Sequence, residues 1–447
     1  MVTTPPTPKR ALALAVVRRL QEAGFTAYWV GGCVRDALLG REPEDYDVAT
    51  AARPEQIEAL FPRTVPVGRQ FGVILVVEAG LELEVATFRA EADYQDGRRP
   101  SHVTFADAIA DAQRRDFTVN GLFYDPVRAE LHDWVHGQAD LRARILRTIG
   151  APAERFAEDH LRLLRAVRFA AQLDFTIEPD AFTAVRARAA DIRSVSAERV
   201  RDELLRLFRP PHAARGLELL RTSGLLAQLL PELAACVDCR QSPEYHPEGP
   251  VFEHVRLMLA QLPPSAPPSL AWAVLLHDIG KPVTATQDPA TGDLHFYGHE
   301  KVGAEMAGVL LTRLRFPRKQ IDEIVAVVRQ HMQFKDVLQM RRSTLRRLLL
   351  RPSFPLELEL HRLDCLGSHR RLEHYDFLVQ QAAELAKRPE VRPPLLTGHD
   401  LLALGMAPGP ALGALLAEVR EKQLLDELTT PDEARAFART RLAPPAP

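Results

Sequence analysis

The apolar pattern of this chain changes period near residue 155, and that change limits the fold more than any single motif does. Ahead of it, a helical stretch at 11–23 is followed by short strand-like runs at 27–30, 46–49, 73–78 and 81–88. Behind it, leucines and alanines recur at steps of three and four, and strands largely vanish. The expected class is therefore α+β: a head with a small mixed sheet, then an all-α neck, body, further helical domain and tail. At 447 residues the chain is too long for one ordinary core. Breaks at Pro210-Pro211, 241–250, 263–268 and 389–394 suggest domains at 1–150, 151–240, 241–388 and 389–447.

Hydrophobic residues make up 46% and charged residues 26%, with a formal net charge of −2, the composition of a soluble globular enzyme. Positive charge is local instead: Arg98-Arg99, Arg114-Arg115, the series Arg162, Arg165, Arg168, and Arg341-Arg342. Such clusters track a phosphate backbone or simply solvate a helix face. Four cysteines make no disulfide framework, which favours the cytoplasm, and Cys236-x-x-Cys239 has no second pair to complete a zinc site. Residues 1–10 lack the apolar core of a signal peptide, and no window approaches a membrane span.

The chemistry begins with Val30-Gly31-Gly32-Cys33-Val34-Arg35-Asp36, followed closely by Asp45-Tyr46-Asp47. In an extended strand Asp45 and Asp47 share a face and present two hard carboxylates, a donor set suited to magnesium. Glycines 31 and 32 let backbone amides approach a phosphate, and Arg35 can hold its charge. A D-x-D alone is as readily a solvated turn. Further on come Arg114-Arg115-Asp116-Phe117-Thr118-Val119-Asn120 and Glu158-Asp159-His160-Leu161-Arg162, with Arg165 and Arg168 beyond. Placed one turn apart on a helix, Asp159 and Arg162 would read a base edge: the carboxylate accepts an exocyclic amine and the guanidinium donates to a ring acceptor. Such a site prefers cytosine and adenine, because guanine and uracil turn a carbonyl oxygen toward the carboxylate. The plain alternative is an i, i+3 salt bridge on an exposed face.

Taken in order, these motifs resemble the class II tRNA nucleotidyltransferases of the polymerase β-type superfamily, which include CCA-adding enzymes and bacterial poly(A) polymerases. The likeness runs from about residue 25 to 435. It implies Asp45 and Asp47 as catalytic magnesium ligands, with Gly31, Gly32 and Arg35 at the triphosphate. It implies Arg115, Asp116 and Asn120 at the ribose, Asp159 and Arg162 as a protein template for the base, and Arg165 and Arg168 as further nucleotide contacts. Glu84 is open between a third carboxylate and a solvated edge. Residues 89–100 resemble the flexible loop tied to addition of the terminal A, which disfavours an enzyme that adds C alone.

Downstream lie Val251-Phe252-Glu253-His254, Leu275-Leu276-His277-Asp278-Ile279-Gly280-Lys281 and Arg362-Leu363-Asp364. A histidine and an aspartate side by side on an apolar helix are costly to bury unless something pairs them. The order resembles the HD superfamily of metal-dependent phosphohydrolases. The resemblance implies His254, His277, Asp278 and Asp364 as ligands of a divalent transition metal, with His299 and His331 for a second ion. His246, His295, His361, His369 and His374 are expected to have no metal role. The HD domain either hydrolyses phosphoesters, 2′,3′-cyclic RNA ends being a sensible substrate, or persists as scaffold. The expected function is addition of CMP and AMP from CTP and ATP to the 3′ end of tRNA. Rivals are an A-adding enzyme or poly(A) polymerase, or an HD phosphohydrolase with an RNA-binding head. Oligomeric state is not legible.

Overall fold

The computed structural model describes residues 7–95, 99–387 and 393–442. The chain forms two compact units, one of residues 1–237, 262–271 and 309–317, the other of 238–261, 272–308 and 318–447.

In the first unit the helix Pro8–Glu22 precedes β1 (Ala27–Val30), and the short helix Gly32–Leu38 leads to β2 (Asp47–Thr50). Then follow β3 (Thr64–Gly68), β4 (Val73–Glu78), β5 (Leu81–Thr87), β6 (Arg89–Gln95), β7 (Arg99–Phe105), β8 (Phe123–Asp125) and β9 (Glu130–His132). Seven of these make one sheet in the order β3-β4-β5-β2-β1-β8-β9, while β6 and β7 pair as a separate hairpin. The 89–100 stretch expected as a loop is thus largely paired strand, and residues 96–98 lie outside the described residues. The expected break at 389–394 likewise falls mostly outside them.

Within this seven-stranded sheet β2 and β5 are the one parallel pair, with Asp47 opposite Glu84, whereas β1 lies antiparallel to both β2 and β8. One sheet face packs on Leu12, Ala13, Val16, Val17 and Leu20 of the first helix, all buried. The other carries Val30, Ala49, Phe88 and Phe123 in a buried cluster with Val135 and Ile149. Beyond residue 150 the described part of the unit is helical, as the three-and-four spacing predicts, apart from Thr176–Ile177, which pair in parallel with Ile145–Leu146. The helix Leu161–Leu173 packs against Ala197–Leu207 and Ala213–Thr222.

The described part of the second unit is almost wholly helical, including Val251–Ala260, the first ten residues of the helix His299–Arg313, Arg318–Gln330 and Phe354–Gly367, with a small hairpin at 286–295. Its C-terminal part, from Leu396 to Ala438, buries a separate apolar cluster around Leu401, Leu415 and Val419. The leucine spacing there is core. No helix among the described residues is long and apolar enough to cross a membrane.

Candidate functional site

The parallel pairing of β2 and β5 sets the Asp47 and Glu84 carboxylates beside one another, and both line a cavity of about 620 Å³. The protein crowding around Asp47 pushes its carboxyl up to about 6, with the charge of Glu84 adding to the effect, although the residue keeps an open face to the cavity. Asp45 differs from expectation. The strand starts only at Asp47, and Asp45 lies before it with its side chain 71% exposed, 2.8 Å from Lys9 Nζ. Asp45 Oδ1 also accepts the Tyr46 amide at 2.9 Å. The two aspartates are therefore not the side-by-side pair of one extended strand, and Asp45 is not among the lining residues. Its charge still reaches Asp47.

The turn after β1 needs glycine at position 31, where φ is +73° and a Cβ would come within 3.0 Å of Arg115 Nη1. The Gly31 amide donates to the Leu122 carbonyl at 3.1 Å, so it is committed inside the protein rather than aimed at a phosphate as expected. Arg35 donates through Nη1 to Asn120 Oδ1 at 2.7 Å and through Nε to Asp36 at 2.8 Å. Asn120 Nδ2 in turn donates to Asp116 Oδ1 at 3.1 Å, and Asp116 Oδ2 accepts Arg165 Nε at 2.9 Å. One run of hydrogen bonds therefore ties Arg35, Asn120, Asp116 and Arg165 together at the cavity wall. Arg115 is held by Asp111 at 3.0 Å, and Arg168 pairs with buried Glu203 while lying over the Phe169 ring at 3.9 Å.

Burial alone would raise the Asp116 carboxyl, but the Arg165 charge and the Asn120 and Arg165 hydrogen bonds outweigh it and bring it down to about 2. The unfolded chain therefore takes up this proton first as pH falls. About 2 kcal/mol of stabilisation is complete above pH ~4 and lost as pH drops toward ~2. Asp116→Asn is expected to lower the stability of the first unit by about that amount at pH 7, with the gap to the parent closing near pH 2.5. Urea unfolding at the two pH values reads both.

Asp159 and Arg162 do not share a helix. The helix Pro152–Glu158 ends, Asp159 is extended at φ −138° and ψ 107°, and a new helix begins at Leu161. Asp159 Oδ1 accepts the Leu161 amide at 3.0 Å, and Oδ2 accepts Arg199 Nη2 at 2.7 Å. Arg162 pairs with Glu158 and donates to the Arg155 and Arg114 carbonyls at 3.1 Å each. Both residues nevertheless line the same cavity as Asp47, together with Gly31, Gly32, Arg35, Arg115, Asp116, Asn120, Arg165 and Arg168.

In the second unit three buried histidines share one arrangement. His277 Nδ1 lies 2.9 Å from the Val274 carbonyl, His299 Nδ1 2.8 Å from that of Phe296, and His331 Nδ1 2.7 Å from that of Val328. A carbonyl only accepts, so each Nδ1 carries a proton and each Nε2 turns inward. The Nε2 atoms gather at the buried Asp278 carboxylate, 3.2 Å away for His277, 3.4 Å for His299 and 3.7 Å for His331. His254 Nε2 lies 3.0 Å from Asp364 Oδ1. Burial, with the nearby His277 charge, pushes His331 down to about 3, so its imidazole is neutral at pH 7. Groups of three able to hold a metal ion include His254, His277 and Asp278, and Asp278, His299 and His331. His277 Nε2 is buried without a hydrogen-bond partner, an orphan that a cation would satisfy.

Sequence reasoning missed Asp111, Glu203, Lys281 and Glu248. Asp111 precedes Arg114 and Arg115 by three and four residues, a helical pairing that was readable. Lys281 Nζ sits 2.7 Å from Asp278, again at i, i+3. Glu203 and Glu248 reach their partners through the fold and leave no such signal.

Residues 27–147 match the poly A polymerase head domain, 174–237 the probable RNA and SrmB-binding site of polymerase A, and 251–364 the HD domain. An A-adding tRNA nucleotidyltransferase of Deinococcus radiodurans is 38% identical over 427 residues, covering 91% of this chain and 94% of that protein. A CCA-adding enzyme of Levilactobacillus brevis is 32% identical over 431 residues, covering 95% and 96%. The crystal structure of Bacillus stearothermophilus CCA-adding enzyme in complex with CTP superposes with a TM-score of 0.72 at 28% identity, covering 98% of each chain. The chain belongs to the tRNA nucleotidyltransferase family of A-adding and CCA-adding enzymes, with a poly A polymerase type of head and an HD domain.

Proposed function

We propose that the first unit adds CMP and AMP, from CTP and ATP, to the 3′ end of tRNA in the cytoplasm, a compartment that suits four free cysteines. The observation that carries this reading is the meeting of Asp159 and Arg162 with Asp47 in one cavity. Asp47, Glu84 and Asp45 supply hard oxygen donors, and the raised carboxyl of Asp47 beside Glu84 fits a divalent cation such as magnesium. When bound, such ions activate the RNA 3′-hydroxyl and offset the charge of the leaving pyrophosphate. Arg35, Arg165 and Arg168 bring positive charge to the triphosphate side, with Gly32 at the turn. Asn120 and Asp116 hold Arg35 and Arg165 in fixed positions beside the sugar, as Arg115 is held by Asp111, so no reorganisation is needed when the nucleotide arrives. Asp159, clamped by Arg199 and the Leu161 amide, keeps lone pairs for the exocyclic amine of cytosine or adenine and repels a guanine or uracil carbonyl.

Transcripts ending before CCA, after C and after CC, each offered CTP or ATP alone, test this. Expected are incorporation of C on the first two and A on the third. A second reading, addition of A only, is favoured by the nearly full-length match to the A-adding relative. Failure to use CTP on any transcript, with ATP used after CC, would establish that reading instead.

We further propose that the second unit is a metal-dependent phosphohydrolase for RNA 3′ or 2′,3′-cyclic phosphate ends. His254, His277, Asp278 and Asp364 would hold one divalent transition metal, with His299 and His331 placed for a second. The fixed tautomers and the orphaned His277 Nε2 support this. A bound metal would supply an activated water, and Lys281 beside Asp278 adds charge for the phosphate.

A further inference from the structure

His254 differs from the other three histidines in what holds its Nδ1. That atom lies 2.6 Å from Glu248 Oε1, where the others face backbone carbonyls. His246 Nδ1 bonds the same oxygen at 2.9 Å, and the His246 and His254 rings meet edge to face with centroids 4.9 Å apart. The arrangement is enclosed: the His254 side chain is 0% exposed and that of Glu248 6%. Glu248 Oε2 is buried with no hydrogen-bond partner, and so are both ring nitrogens of His254, whose 2.6 Å approach to Glu248 Oε1 and 3.0 Å approach to Asp364 Oδ1 are close contacts not yet aligned as hydrogen bonds.

From this geometry we infer that Glu248 is a positioning residue of the metal centre, fixing the His254 tautomer and strengthening its Nε2 as a donor, with His246 steadying the carboxylate from the other side. The inference rests on the metal reading of the second unit. A neutral imidazole has one N–H and one lone pair. When Nε2 ligates a metal the ring is neutral and Nδ1 carries its proton, and the Glu248 carboxylate 2.6 Å away is the group placed to take it. A carboxylate accepts more strongly than a backbone carbonyl and leaves more electron density on the opposite nitrogen. Among these four histidines, His254 is then the ligand whose donor strength is raised by a charge.

The same logic decides against a rival arrangement. His246, Glu248 and His254 could themselves surround an ion. That ion would need the Nδ1 lone pair of His254, which a neutral ring already ligating through Nε2 does not have.

The test uses the full chain carrying Asp47→Asn, which removes the proposed head cation from the count. Cobalt(II) is titrated into metal-free protein while its visible absorption and bound stoichiometry are followed. Glu248→Ala is expected to weaken cobalt binding about 100-fold and Glu248→Gln, which keeps the shape and an acceptor oxygen, about 10-fold, with altered absorption bands and unchanged stoichiometry. Unchanged affinity and bands in both variants, with a lower melting temperature of the metal-free protein, would assign Glu248 a structural role and overturn the inference. Loss of one metal equivalent in Glu248→Ala would overturn it in favour of the rival ion. Wild-type stoichiometry in His277→Ala would overturn the metal reading itself, a failure distinct from the other two.

Discussion

Asp47→Asn is expected to cut nucleotide addition by about three orders of magnitude or more with either CTP or ATP, because the amide keeps the side chain's volume while losing the charge that holds the cation. The variant should fold at least as well as its parent. Asp47 has its carboxyl raised to about 6, first by the surrounding protein and then by Glu84, so at pH 7 the folded state carries an ion it disfavours. Protonation relieves that conflict, and stability contributed by this group rises as pH falls through about 6; removing the charge has the same sign. Single-turnover addition at saturating tRNA together with a melting curve makes the check. Full activity would remove Asp47 from the catalytic machinery, whereas lost activity with a lowered melting temperature would point to misfolding. Glu84→Gln, opposite it on β5, is expected to show the same pattern with a smaller loss.

The second large effect belongs to the other unit. His277→Ala combined with Asp278→Ala is expected to abolish phosphoester hydrolysis and metal uptake there while leaving nucleotide addition within about twofold of wild type. Asp278 is the carboxylate on which three histidine Nε2 atoms gather, and His277 Nε2 has no partner of its own. Its carboxyl is held well below the usual range, the His277 and Lys281 charges outweighing the cost of burial. Removing both residues takes the orphan and its neighbouring carboxylate away together, but it strips the buried Lys281 ammonium of its counter-ion, so a melting curve accompanies the assay. Hydrolysis of 2′,3′-cyclic AMP and C-addition to a truncated tRNA, measured on one preparation, give the readout. Retained hydrolysis would end the metal proposal, and wild-type protein that hydrolyses nothing would leave the unit a scaffold.

Much of the architecture was legible because it rests on local periodicity. The strands at 27–30, 73–78 and 81–87 and the turn to helix beyond residue 150 follow from the spacing of apolar side chains alone. What escaped is set by geometry that spacing does not encode. Asp159 and Arg162, three apart, read as one helix turn, yet the Asp159 carboxylate bends back to the Leu161 amide and breaks the helix. An aspartate two residues ahead of a leucine-rich helical run is a start signal, and read that way it would have located the break. The strand at 46–49 began a residue late, which moved Asp45 off the face it was expected to share. Glu248 reaches His254 across the turn Gly249-Pro250, at a separation where no regular element brings side chains together.

Because β2 and β5 run side by side in the same direction, the spacing of the two acids is decided by strand register, and β4, paired to β5 with Leu75 opposite Glu84, is held to the same register. Only the turns between these elements, such as 62–63 and 79–80, can lengthen or shorten without disturbing either carboxylate. One residue inserted within β5 just ahead of Glu84 would instead turn that acid to the opposite side of the sheet. Indel tolerance along this stretch should therefore be confined to the turns and stop where β4 and β5 begin.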